Sequence, residues 1–202
     1  MRGSRACAAA SLPARFSSGS VTIDAVSHST LLTARLELVP ITVPLVEAVM
    51  RNRRADAEAL VGAPLPEAWP GRTLIEQAFS ASLERIQEDP ASRLWGNRVM
   101  IAREGPRRVI GSVVFHGAPG EDGLVEVAYG VEQQSQMKGY ATEGTRASVE
   151  WALAQRGVRA VRATTPPWHM ASRRVLEKCG LVVVGSRESD MLGELLEYER
   201  CS

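Results

Sequence analysis

No apolar run in this chain of 202 residues is long enough to span a bilayer, so the sequence carries no signal for a membrane helix. Charge of one sign is lacking too. With 24 Lys and Arg against 23 Asp and Glu the net charge is +1, which supplies no long-range attraction to nucleic acid or to an anionic membrane. Cysteine is scarce: Cys7, Cys179 and Cys201 have no metal-ligand spacing, and their odd number fits a reducing cytoplasm. A metal site is not expected. Acid is missing from the start of the chain, where no Asp or Glu precedes Asp24 while Arg2, Arg5 and Arg15 stand among Ser and Ala. That is the composition of an organellar transit peptide, and an extraneous N-terminus or a flexible extension would account for it equally. Residues 1–30 are therefore set apart from one domain over 31–202, whose 45% hydrophobic and 23% charged residues suffice for a single ordinary core.

What is present alternates between strand and helix. Leu36 and Leu38 alternate with Arg35 and Glu37, predicting a half-buried strand over Leu31 to Val39 that Pro40 ends. Thr42 is placed to cap a helix starting at Pro44, and Leu45, Val49 and Ala57 to Val61 supply an apolar face across two short helices. A capping box, Thr73-x-x-Glu76, opens a further helix carrying Ile75, Phe79, Leu83 and Ile86 on one side, closed by Pro90. Three strands follow as a meander, Arg98 to Arg103, Val109 to His116 and Leu124 to Val131, separated by Gly/Pro-rich turns. Then come a helix from Tyr140 to Gln155, a strand from Val158 to Thr164, a helix from Met170 to Cys179, and closing strands at Leu181 to Ser186 and Glu194 to Arg200. The fold class is mixed α/β: a mostly antiparallel central sheet of about seven strands. On the Tyr140 helix, Tyr140, Gly144, Ala147, Trp151 and Ala154 are expected inside, with Glu143, Arg146 and Glu150 as a solvated face. Gly180 has the position of a left-handed helix cap.

The segment Gln136-Met137-Lys138-Gly139-Tyr140-Ala141 lies between a strand and a helix. The first N–H groups of a helix lack intrahelical partners and, with the dipole, favour an anion in the preceding turn. Gly139 lets backbone approach a bulky diphosphate, and small Ala141 keeps the next turn clear. With Gly139-Tyr140-Ala141-Thr142-Glu143 upstream of Ala171-Ser172-Arg173-Arg174-Val175-Leu176-Glu177-Lys178-Cys179-Gly180-Leu181, the chain resembles the GCN5-related N-acetyltransferases (GNAT) over roughly Leu31 to Arg200. Within them it looks like the branch that acetylates ribosomal-protein N-termini.

The resemblance implies helices on both faces of the sheet and acetyl-CoA as cosubstrate, held by Gln136, Met137, Lys138, Gly139, Tyr140, Ala141 and Thr142. It also implies that the Leu124 to Val131 strand splays from the next one, so that backbone near Tyr129, Gly130 and Val131 meets the pantetheine arm and polarises the thioester carbonyl. The family often has Gly or Arg where Met137 and Lys138 stand; Met137 is tolerable if its φ stays negative, and Lys138 offers a mobile charge. His169 stands where the family usually has asparagine. It replaces that amide as a cofactor ligand, brings acid/base capacity, or has no role. Ser172 matches the family's serine and either protonates the departing thiolate or caps its helix.

A period of two places Glu126 on the narrower face of its strand, as a general base or as an edge carboxylate paired with arginine. His116 is the second candidate base. Tyr129 and Trp168 either line the acceptor pocket or belong to the core. Deprotonating an α-amine at pH 7 costs roughly 1.4 kcal/mol, against roughly 4.6 kcal/mol for a lysine amine, so a modest base suits α-amines. The expected reaction is direct acetyl transfer to a primary amine, most simply a protein or peptide α-amine. A small amine such as an antibiotic or polyamine, or a cofactor sensor without turnover, are the alternatives. The enzyme is expected to be monomeric or homodimeric.

Overall fold

The computed structural model of the chain describes residues 29–67 and 82–202. Most of the N-terminal stretch set apart above, and the capping box with Ile75 and Phe79, lie outside the described residues.

Eight strands form one sheet in the order β1-β2-β3-β4-β5-β6-β8-β7. They are β1 (Leu31–Leu32), β2 (Leu36–Pro40), β3 (Arg98–Ala102), β4 (Arg108–Phe115), β5 (Leu124–Val131), β6 (Ala160–Thr165), β7 (Val182–Ser189) and β8 (Gly193–Cys201). Every neighbouring pair is antiparallel except β5 with β6. The eighth strand arises because the single strand expected over Leu31 to Val39 is two. The chain reverses at Thr33 to Arg35, Thr33 N donates to Leu36 O at 2.9 Å, and Leu31 comes opposite Leu38.

Six helices are described: α1 (Val43–Met50), α2 (Arg54–Val61), α3 (Leu83–Glu88), α4 (Pro90–Arg93), α5 (Tyr140–Leu153) and α6 (Met170–Lys178). Two cores result, one on each face of the sheet. Leu36, Leu38, Met100, Val125 and Val127 pack with Val149 and Ala152 of α5 and Leu176 of α6. On the other face, Val99, Ile101, Val109 and Val114 meet Leu45 and Val46 of α1, Val61 of α2, and Leu83 and Ile86 of α3. β3 is buried at all five positions because it is covered on both sides, which is why its sequence reads as a continuous apolar run. The register shifts between Met100 and Ile101 because Ile110 of β4 has no partner there, and the extra residue lets Ile110 and Val113, three apart, reach the same core.

The helical expectations need corrections. Thr42 is the N-cap of α1 but its side chain makes no capping bond, and Pro44 is the second helical residue. Leu83 and Ile86 lie in α3, whose N-cap is Ser82, extended and accepting from Arg85 N at 3.5 Å, so these two residues belong to a helix that starts at Leu83. α3 ends at Glu88 just before Pro90, as expected, but Pro90 also opens a further short helix, α4. On α5 the buried stripe is Gly144, Thr145, Ser148, Val149 and Ala152, while Ala154 is the exposed C-cap. The helix turns its small side chains inward because it lies close to the sheet: a Cβ on Gly144 would stand 2.7 Å from Met100 Sδ. Tyr140, Ala147 and Trp151 flank that stripe, partly buried. Gly180, at φ +84, follows the Cys179 cap as expected. Among the described residues, no helix is long and apolar enough to cross a membrane.

Candidate active site

β5 is paired with β4 from Val127 opposite Phe115 to Val131 opposite Gly111, but its parallel pairing with β6 ends at Glu126 opposite Arg162. Beyond that point β6 continues against β8 and the two strands part. His116 N donates to Glu126 O at 2.9 Å, and Glu132 N to Ile110 O at 2.8 Å. Alternation along an antiparallel ladder then points the backbone groups of Ala128 and Gly130 at β4, and those of Tyr129 and Val131 into the gap. The splay expected from the resemblance is present, beyond Glu126.

At the end of β5 a 3-10 turn, Gln133–Ser135, leads into the turn before α5. Glu132 ion-pairs with Arg108, and Ser135 Oγ donates to Glu132 at 2.7 Å, which fixes the loop's base. Gln136 is exposed, and its Nε2 donates to Val131 O at 3.1 Å, tying turn to strand. Met137 corrects the sequence reading. Its φ is +60, not negative, and its side chain is 95% exposed. The left-handed form costs a non-glycine residue about 1–2 kcal/mol, and nothing packs against Met137 in return. Met137→Gly is therefore expected to raise the unfolding free energy by about 1 kcal/mol after glycine's own entropic cost, read from the urea midpoint at unchanged slope. Gly139, at φ +84, is the N-cap of α5 and supplies no side-chain cap. The opening N–H groups of the helix, at Tyr140, Ala141 and Thr142, thus have no side-chain acceptor at the cap.

Arg35, from the β1–β2 turn, holds this segment from behind. Its Nε and Nη2 both lie 2.7 Å from Glu143 Oε2, its Nη1 donates to Lys138 O at 2.9 Å, and its guanidinium sits 4.6 Å from the Tyr140 ring centre. Thr33 Oγ1 and Arg35 N donate to Glu143 Oε1 at 2.6 and 2.8 Å. Glu143 is therefore not part of a solvated charge row. Burial pushes its carboxyl up, but these hydrogen bonds and the arginine charge outweigh it and hold the group below its ordinary value. Arg146 Nη2 likewise donates to Lys178 O at 2.7 Å, joining α5 to the end of α6. Neither Thr33 nor Arg35 was picked out in the sequence. No local pattern marks a partner more than a hundred residues away.

The two candidate bases lie together. His116 Nδ1 is 3.7 Å from Glu126 Oε2, and both side chains are about one-third exposed. Thr164 Oγ1 of β6 donates to Glu126 Oε1 at 3.0 Å, a partner the sequence did not signal. Glu126 is thus partnered by His116 and Thr164 and not by an arginine. The imidazole of His116 lowers the Glu126 pKa most, burial opposes it, and Thr164 and the charge of Arg187 add to the lowering, so the carboxyl stays below its ordinary value of 4.5.

Tyr129 points to the opposite face of β5, against the core beneath α5 and α6. Its hydroxyl donates to Ser172 O at 3.1 Å and lies 3.0 Å from Ser172 Oγ, so Ser172 pairs with a phenol where a cap was one expectation. Burial, first, pushes the Tyr129 pKa up to about 12, and the phenol keeps its proton at any physiological pH. Trp168 and His169 are exposed at the start of α6, their rings 5.7 Å apart. His169 is the N-cap without a side-chain capping bond. Cys179 is buried and its thiol is pushed up to about 11, chiefly by burial, which removes it as a nucleophile.

The comparisons with known proteins agree with this geometry. An uncharacterized N-acetyltransferase of Bacillus subtilis, YjdG, is 24% identical over 153 residues, 76% of this chain and 89% of the relative. Among solved structures, the ribosomal-protein-S5-alanine acetyltransferase of Vibrio fischeri superposes with a TM-score of 0.57 at 13% identity, covering 86% of this chain and 96% of that one. The microcin C7 self immunity acetyltransferase MccE, solved in complex with acetyl-CoA and AMP, gives 0.55 at 12% identity, covering 84% and 94%. Residues 35–182 match the acetyltransferase (GNAT) domain, and the chain belongs to that family.

Proposed function

We propose that the protein transfers the acetyl group of acetyl-CoA to a primary amine, with a protein or peptide α-amine as its acceptor. The observation that carries the reading is the conjunction of the β5–β6 gap with the uncapped, left-handed turn into α5. One supplies free backbone groups for an amide-bearing arm, the other N–H groups for a diphosphate. Bound there, acetyl-CoA supplies an activated thioester. The chain's own residues then have three tasks. Backbone N–H at Tyr129 or Val131 faces the gap and is placed to stabilise an oxyanion. His116, with Glu126 beside it, takes the proton of the attacking amine from one face of β5. Tyr129 and Ser172 offer hydroxyl protons from the other.

The α-amine acceptor follows from the size of the proton-transfer cost, about 3 kcal/mol lower than for a lysine amine, which an imidazole–carboxylate pair near the surface can meet. Calorimetric titration of acetyl-CoA tests the first half: micromolar binding to the wild type is expected, lost in Gly139→Trp. Thiol release with free but not N-blocked peptides tests the second. Turnover only with a polyamine or an aminoglycoside would replace the acceptor, and tight binding without turnover on any amine would leave a sensor.

A further inference from the structure

We infer that Arg35 is a positioning residue for the Gln136 to Gly139 turn, holding it in its left-handed conformation and neutralising Glu143 next to the helix N-terminus. The inference rests on the acetyl-CoA reading for its functional consequence, though the clamp itself can be tested without ligand.

The turn has little else to hold it. Met137 and Gly139 both have positive φ, Met137 and Lys138 are exposed, and the Gln136 side chain is engaged at Val131. Arg35 reaches it from the β1–β2 turn, which is itself anchored where Arg103 N donates to Arg35 O at 2.9 Å. Its planar fork makes three kinds of contact at once: the carboxylate of Glu143, the carbonyl of Lys138 and the face of Tyr140. Drawing the Lys138 carbonyl inward leaves the N–H side of the turn facing out. Gly139 Cα is approached from the same side, since a Cβ there would be 3.4 Å from Arg35 Nη2. Glu143 stands in the first turn of α5, where an unpaired carboxylate would repel the diphosphate that the helix end attracts. Pairing it with Arg35 removes that repulsion while keeping its hydrogen bonds.

The test uses Arg35→Met, Arg35→Lys and Glu143→Gln in the full chain. Arg35→Met is expected to raise Kd and KM for acetyl-CoA about 10- to 100-fold, with kcat and the amine KM within about twofold. Arg35→Lys keeps charge without the fork and should recover less than half of that loss on a logarithmic scale. Glu143→Gln, which removes the charge to be neutralised, should bind within about threefold of wild type. Amide exchange of the ligand-free protein gives a readout independent of the cofactor: in Arg35→Met the amide of Glu143, which donates to Gly139 O at 3.0 Å, should exchange at least about tenfold faster while β3 and β4 stay protected. Unchanged exchange there, or an unchanged Kd in a folded Arg35→Met protein, overturns the inference. A wild type that binds no acetyl-CoA overturns the functional reading alone, because the exchange result still decides the clamp.

Discussion

Gly111→Ala is expected to destabilise the protein by about 3 kcal/mol and to weaken acetyl-CoA binding further. A Cβ at Gly111 would stand 2.2 Å from Gly130 O and 3.0 Å from Val131 Cα. Both neighbours are main chain, so no side-chain rotation can relieve the contact. β5 must move away from β4, and the stretch that moves is the one whose other edge opens toward β6. The neighbouring Gly130→Ala is the control: a Cβ there meets nothing within 4 Å, and its effect should stay within about 0.5 kcal/mol. Urea denaturation of both variants decides the matter. Equal stabilities would mean that the strands do not approach this closely at Gly111.

His116→Ala is expected to lower kcat/KM by about 10²- to 10⁴-fold, and Glu126→Gln by about tenfold, without loss of fold. A carboxylate already held below 4.5 is ionised but weakly basic at neutral pH, whereas imidazole is the ordinary side chain that titrates between pH 5 and 8. Thr164 occupies one oxygen of Glu126 and leaves the other toward His116 Nδ1, which suits Glu126 to orient the ring and to stabilise its cation. The sign of the linkage separates the two groups. Because the folded Glu126 pKa is depressed, its share of stability is complete above the ordinary value of 4.5 and is lost only as pH falls through the folded value. A fall in rate between pH 8 and pH 5 therefore belongs to another group. Measuring kcat/KM across that range in wild type, Glu126→Gln and Thr164→Val should show the acid limb in all three, displaced where the carboxylate is altered. Wild-type rates in His116→Ala would reject the assignment.

Much of this site could be read from the chain because its parts are local. β5 keeps a period of two over eight residues, so the split between Glu126 on one face and Tyr129 on the other was legible, and the glycines at 139 and 180 mark backbone conformations that only their neighbours in sequence determine. What escaped depends on pairing. The bulge at Ile110 of β4, opposite Met100 and Ile101, cannot be placed from β3, because both faces of that strand are apolar. Glu143 and Arg35 each looked like surface charges, and only the β1–β2 reversal brings them together. His116 and Glu126 were separate candidates until the antiparallel ladder set them on adjacent strands, and Thr164 joins them across the last pair before β6 departs. Met137 was misjudged for another reason: an exposed turn can hold an unfavourable φ when a distant side chain fixes the carbonyl next to it.

The sheet is continuous in topology but thinly paired at one seam, beneath a core that both halves share. Among the described residues the half made of β1 to β5 is paired strand to strand with the half made of β6, β8 and β7 over three positions, Leu124 to Glu126 with Ala160 to Arg162. Such a seam is where a domain opens at less than the free energy of global unfolding. A molecule lying along the vacant edge of β5 would complete the ladder as a strand does, and it would bind the closed seam in preference to the open one. Its concentration then enters the stability of the whole fold, adding about 2.7 kcal/mol at a hundred times its Kd. The supply of acyl donor would govern how long the catalyst survives as well as how fast it turns over.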